Sequence, residues 1–131
     1  MQNNLFYKID SYKKINIIFS LLIIFIFFYC FLTPYLSVKF ASSCEGLPEI
    51  YCKSRGLTRS FSEILRFNFD KAILFNSFGI KIFTFFLVQF FARIFITIII
   101  NETNFKTIST LDIALSFLYF IVTFYNLVIP N

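Results

Sequence analysis

The sequence predicts an all-α integral membrane protein with three transmembrane helices and an interfacial or re-entrant amphipathic helix. Three observations carry this. Hydrophobic residues make up 58% of the chain and charged residues only 15%, against about a quarter in soluble domains. Three apolar runs each reach the length of a membrane span. A polar, cysteine-containing stretch with helical charge periodicity separates the first two. The 131 residues suit a single membrane domain. It divides into an N-terminal segment (1–14), a first span (15–36), a Cys-containing loop (37–57), an amphipathic helix (58–76), a second span (78–100) and a third span (111–129).

The first span is read from INIIFSLLIIFIFFYCFL, within a stretch from Ile15 to Val38 that carries no charge. About 20 such residues cross the ~30 Å hydrocarbon layer. Thr33-Pro34 ends the helix, because a residue before proline is pushed out of the helical region. Cys30 near that end reads as a small apolar residue. Lys8, Lys13, Lys14 and the run Ala41-Ser42-Ser43-Cys44 faintly resemble a lipoprotein signal. The apolar core is too long and too far from Cys44 for that, since a signal h-region is ~7–15 residues and abuts its cleavage site.

The second span, FGIKIFTFFLVQFFARIFITIII, carries Lys81, Gln89 and Arg93. A central Arg costs ~2.5–3.5 kcal/mol, whereas about sixteen Phe, Ile, Leu and Val residues return roughly 5–10 kcal/mol, so insertion wins. Lys81 lies near one end and can snorkel. Gln89, Arg93 and Thr97 share one face at i, i+4, i+8. Two partners for Arg93 stand open: Tyr119 or backbone groups of the third helix, and a carboxylate on a partner subunit. The third span begins at Asp112, is uncharged afterwards and closes at Pro130. The polar turn NETNFKTIST joins it to the second.

Within the loop, Arg59, Glu63, Arg66 and Asp70 recur on one helical face with alternating sign. Phe61, Ile64, Leu65, Ala72 and Phe75 fall opposite. Ser60 with Glu63 fits a capping box, and a break near Phe67-Asn68 is compatible with the pattern. Gly56 suits a backbone conformation closed to other residues, and Thr58 a helix N-cap. Arg55 and Arg59 then place two cations where the helix dipole disfavours them. Three readings answer that: lipid phosphate at the interface, a specific phosphate or carboxylate ligand, and pairing with Glu45 or Glu49. The candidate anion- and lipid-binding residues are therefore Arg55, Gly56, Thr58 and Arg59.

The net charge is +5 and there is no His. Basic residues beside apolar runs point to anionic lipid headgroups as partners, not nucleic acid. Another membrane subunit is a second partner class. Without His, Ser-His-Asp and Cys-His mechanisms are excluded in this chain, and no catalytic residue or cofactor is read. Cys44 and Cys52 could form one disulfide, worth about 2–3 kcal/mol, or remain free thiols. A zinc site needs about four Cys or His ligands, so no metal is expected. The 22 Phe residues accompany abundant Ile, Lys and Asn, all AT-rich codons, and no base-stacking or ligand cage is read into them.

The stretch from Cys44 through Cys52, Gly56, Leu57, Thr58 and Arg59 resembles domain of unknown function family 2752, small bacterial membrane proteins. Their signature is a first Cys, then Cys-Pro-x-Cys-Gly-Leu-Thr-Arg, then an amphipathic segment ending in Asn-Pro. Ala72 and Asn76 match the later Ala and Asn. Lys53, Arg55 and Ser77 stand where the family has Pro, Cys and Pro, so the form here is degenerate. The resemblance covers roughly residues 40–80. It implies a bacterial inner-membrane protein and brings no established activity. Lys8, Lys13 and Lys14 before the first span place the N-terminus in the cytoplasm. The expected function is a non-enzymatic membrane subunit or scaffold. The alternative is a small membrane enzyme or lipid-binding protein using the Cys52–Arg59 loop.

Overall fold

The computed structural model describes residues 2–36 and 52–128, and every described element is helical. Helix α1 spans Gln2–Leu32 and passes into a 3-10 turn, Thr33–Tyr35. Helices α2 (Leu57–Ile64) and α3 (Phe69–Phe75) form a hairpin. Helices α4 (Gly79–Ile99) and α5 (Phe105–Val128) complete the chain. Three helices are long and apolar enough to cross a membrane, within Leu5–Tyr35, Gly79–Ile99 and Phe105–Tyr125.

Two spans begin earlier than the hydropathy suggests. At 31 residues, α1 is about 46 Å long, well beyond the ~30 Å hydrocarbon thickness. The predicted N-terminal segment 1–14 is thus its continuation from Gln2. No Gly or Pro interrupts it, and Lys14 pairs with Asp10 at 2.7 Å one turn away. Likewise α5 starts at Phe105, not 111, because the turn before it is tight. Asn101 Oδ1 accepts from the Thr103 and Asn104 backbone N–H groups, at 3.2 and 3.1 Å. Asn104 Nδ2 donates to the Ile99 carbonyl at 3.0 Å.

Helices α1 and α4 run antiparallel: Ile9 packs with Ile96 and Ile100 at one end, and Cys30 with Ile82 at the other. Helix α5 packs on α4, with Phe85 meeting Tyr119 at 5.2 Å and Phe124 at 5.4 Å. Helix α2 inserts into the α1/α4 end. The Phe61 ring sits 6.3 Å from Phe27, 5.3 Å from Phe83 and 6.2 Å from Phe86, all near edge-to-face, a favoured aromatic geometry. The core at this end is built from Cys30, Phe61, Ile64, Ala72 and Ile82. Cys30 is the buried, apolar thiol its setting suggests.

The segment 58–76, predicted as one amphipathic helix, is two helices, broken where Phe67 takes φ 62°. The Asn68 N–H bonds the Glu63 carbonyl at 2.9 Å and the Phe67 N–H bonds that of Ile64 at 2.9 Å. Those two bonds make a Schellman motif with Phe67 at its left-handed position. Phe61, Ile64, Leu65 and Ala72 face inward as the periodicity predicts, but Phe75 is exposed, because the break rotates α3 away from the face that α2 buries.

Candidate functional site

Two polar constructions stand out, one at each end of the bundle. The first surrounds the hairpin. Gly56 takes φ 77° and is the N-cap residue of α2, without a side-chain cap bond. This confirms the backbone reading of Gly56 and corrects that of Thr58, which lies half-buried within the first turn. The capping box is also absent. Ser60 is fully buried, and a Cβ on Gly79 would fall 1.9 Å from its Oγ. The α2/α4 approach therefore consumes Ser60 as a small residue. The Glu63 carboxylate instead accepts from Asn68 Nδ2 at 3.1 Å.

Asn76 holds the turn. Its Nδ2 donates to the Lys53 carbonyl at 2.8 Å and the Arg55 carbonyl at 2.9 Å. Its Oδ1 accepts from the Phe78 N–H at 2.9 Å. One buried amide thus ties residues 53–55 to the start of α4 using both its donors and its acceptor. The motif match at Asn76 marked this position without giving it a role. Arg55 and Arg59 are exposed, and Arg59 lies over the Phe75 ring at 6.0 Å. Arg66 is the guanidinium that turns inward. It donates to the Phe31 carbonyl at 2.6 Å and the Ser62 carbonyl at 3.0 Å. It also covers the Phe31 and Tyr35 rings at 4.8 and 5.6 Å. An orphan carbonyl at the end of α1 is thereby satisfied. Cys52 is disulfide-bonded. Cys44, Glu45 and Glu49 lie outside the described residues, so the candidate pairings through them do too.

The second construction lies at the other end, inside the spans. Arg93 Nη1 donates to Asp112 Oδ2 at 2.5 Å and Asn16 Oδ1 at 3.1 Å. Its Nη2 donates to Gln89 Oε1 at 3.0 Å and Ser116 Oγ at 2.8 Å. Tyr12 donates its hydroxyl to Asp112 Oδ2, and Ser116 Oγ lies 3.2 Å from Asp112 Oδ1. The side chain of Asp112 is 4% exposed and that of Arg93 15%. The third helix does supply partners for Arg93, through the side chains of Asp112 and Ser116 in place of Tyr119 or backbone groups. Its carboxylate comes from this chain, and Tyr119 packs on Phe85 instead. The reason is depth. Arg93 lies six residues before the end of α4 and Asp112 seven after the start of α5. Both are therefore about 10 Å from the same helix ends. Gln89 joins the network, whereas Thr97 turns its hydroxyl back to the Arg93 carbonyl at 2.7 Å. The overlooked signals were the single acid of the third apolar run and the lone amide, Asn16, of the first. At the opposite end of α4, Lys81 reaches the Val122 carbonyl at 2.8 Å.

Compared with known proteins, the chain matches no family model, no curated protein and no solved structure.

Proposed function

We propose that the protein is a non-enzymatic multi-pass membrane protein, a subunit or scaffold, whose hairpin end holds lipid phosphates with Arg55 and Arg59. One observation carries this reading. Both guanidinium-bearing residues are exposed, and the same hairpin exposes the apolar side chains of Phe67, Phe69, Ile73 and Leu74. Such a combination suits a membrane interface, where apolar side chains enter the acyl region and cations meet headgroups. Arg93 and Asp112 pair with each other, and the remaining Arg93 donors go to Asn16, Gln89 and Ser116, which favours a structural over a catalytic use for them.

The hairpin also supports reading the chain as a degenerate member of family 2752. The matching residues Gly56, Ala72 and Asn76 are ones its geometry needs: a left-handed φ, a fully buried methyl and a three-bond clamp. That reading places the protein in a bacterial inner membrane. Lys8, Lys13 and Lys14, in the N-terminal part of α1, favour a cytoplasmic N-terminus with Cys52 outside.

The test is to purify the full chain in mild detergent and count retained phospholipid by native mass spectrometry. The double variant Arg55→Gln/Arg59→Gln should retain less, while Arg59→Lys should retain part. An unchanged lipid complement in the double variant would rule the reading out. A stoichiometric protein copurifying with the chain supports the subunit role. Orientation is tested on intact, reduced cells, where a membrane-impermeant thiol reagent should label Cys52 but not Cys30. Labelling of Cys52 only after lysis reverses the assignment.

A further inference from the structure

A small cleft lies between the end of α1 and the outer face of α2, lined by Thr33, Pro34, Arg59, Ser62, Glu63 and Phe75, with a volume of about 180 Å³. That is below the ~300–1,000 Å³ of pockets that enclose whole small molecules, so its size suits a headgroup. Next to it, an almost wholly apolar groove is lined by Ile24, Phe27, Phe28, Phe31 and Leu65. Its four α1 residues stand at i, i+3, i+4 and i+7, a single stripe about 10 Å long within the span. Arg66 joins the two, bonding Phe31 of the groove and Ser62 of the cleft. Its N–H donors go to two backbone carbonyls and the Ser62 hydroxyl, and its plane lies over two rings.

The cleft therefore offers one cation and one anion, Arg59 and Glu63. They are i,i+4 neighbours on α2, yet among the described residues they form no ion pair with each other. Arg59 lies over Phe75 instead, and Glu63 accepts from Asn68. Thr33 turns its hydroxyl back to the Tyr29 carbonyl at 2.8 Å and does not compete.

We infer that cleft and groove together form a site for one glycerophospholipid with a phosphoethanolamine headgroup. Arg59 takes the phosphate, Glu63 the primary ammonium, and the Ile24–Phe31 stripe an acyl chain. This rests on the reading above that Arg59 meets lipid phosphate. A headgroup without an amine still meets Arg59 through its phosphate but brings no cation to Glu63. A choline headgroup matches the charge but has no N–H to donate to the carboxylate.

The experiment is native mass spectrometry of the full chain in detergent, titrated with phosphatidylethanolamine, phosphatidylglycerol and phosphatidylcholine of identical acyl chains. At equal concentration the ethanolamine lipid should bind roughly tenfold more than either other, the scale of one charged hydrogen bond. Glu63→Gln should lower phosphatidylethanolamine binding roughly tenfold, to the level of the other two lipids, and Arg59→Gln should weaken all three lipids. If wild type binds phosphatidylglycerol as well as or better than phosphatidylethanolamine, the headgroup assignment is wrong. The phosphate reading survives that result only if Arg59→Gln still weakens phosphatidylglycerol. No effect of Arg59→Gln on any lipid overturns both. The wild-type ranking needs no variant, so misfolding of a variant cannot shield the inference.

Discussion

At Gly56 the backbone carries φ 77°, and a Cβ there would lie 2.4 Å from the Phe75 carbonyl oxygen. The residue thus faces both a torsional and a steric demand. Gly56→Ala should destabilise by more than the ~1–2 kcal/mol of left-handed backbone alone, because the neighbour is main chain and cannot rotate away. Thermal unfolding in detergent reads this; an unchanged midpoint contradicts the close approach. Asn76 closes the same turn from the other side. Asn76→Asp is nearly isosteric but sets a carboxylate against the Lys53 and Arg55 carbonyls. It should cost at least the ~1–3 kcal/mol of an unsatisfied buried group, and Asn76→Ala should be the milder change. Equal tolerance of Asp and Asn would mean the clamp does not hold.

The hairpin's elements are joined by Phe67, whose left-handed φ is unusual for a bulky residue. The ring is 82% exposed, so no packing among the described residues explains the choice. On the reading proposed above a membrane surface does, since an exposed Phe there enters the acyl boundary. Phe67→Gly should therefore split two effects. It should raise thermal stability in detergent by about 1 kcal/mol, by removing left-handed strain, and weaken seating of the hairpin at a bilayer. Reduced protection of α3 against hydrogen exchange in nanodiscs, with a raised detergent midpoint, is the expected pair. A lowered midpoint would show that the ring stabilises the fold directly. At the helix-packing level, Gly79→Ala should disrupt the α2/α4 contact, with partial rescue by Ser60→Gly, since Ser60 supplies both nearest atoms, Oγ at 1.9 Å and Cβ at 2.8 Å.

Across the whole molecule, the three spans are held at one end by aromatic packing and at the other by charge. The Arg93–Asp112 pair joins α4 to α5, and Asn16 and Tyr12 bring in α1. Removing one partner leaves the other charge buried, a loss of about 3–5 kcal/mol. Arg93→Leu and Asp112→Leu should each lower stability and membrane-inserted yield. The double variant should lose far less than the two losses summed, because paired removal abolishes both desolvation costs together. Additive losses would show that the two residues act independently.

The three spans were legible from the sequence because transfer of side chains from water to hydrocarbon is a local property. Twenty consecutive apolar residues settle it without knowledge of their neighbours. Gly56, the break at Phe67-Asn68 and the buried face of Phe61, Ile64, Leu65 and Ala72 were legible for a related reason: torsional preference and helical period act within a turn or two. The partners of Arg93 were not. Asp112 stands 19 residues away and Asn16 77, and their meeting depends on the depth and rotation at which three helices pack. Ser60 and Thr58 show the same limit at short range. Both satisfied local capping rules, and the close approach of Gly79 and the left-handed Gly56 overrode them. Asn76 reaches carbonyls 21 and 23 residues back, a closure that exists only once α3 has turned the chain onto itself. Burial in hydrocarbon was written in composition. The choice of polar partners belonged to the tertiary structure, because a hydrogen bond depends on distances that only packed helices set.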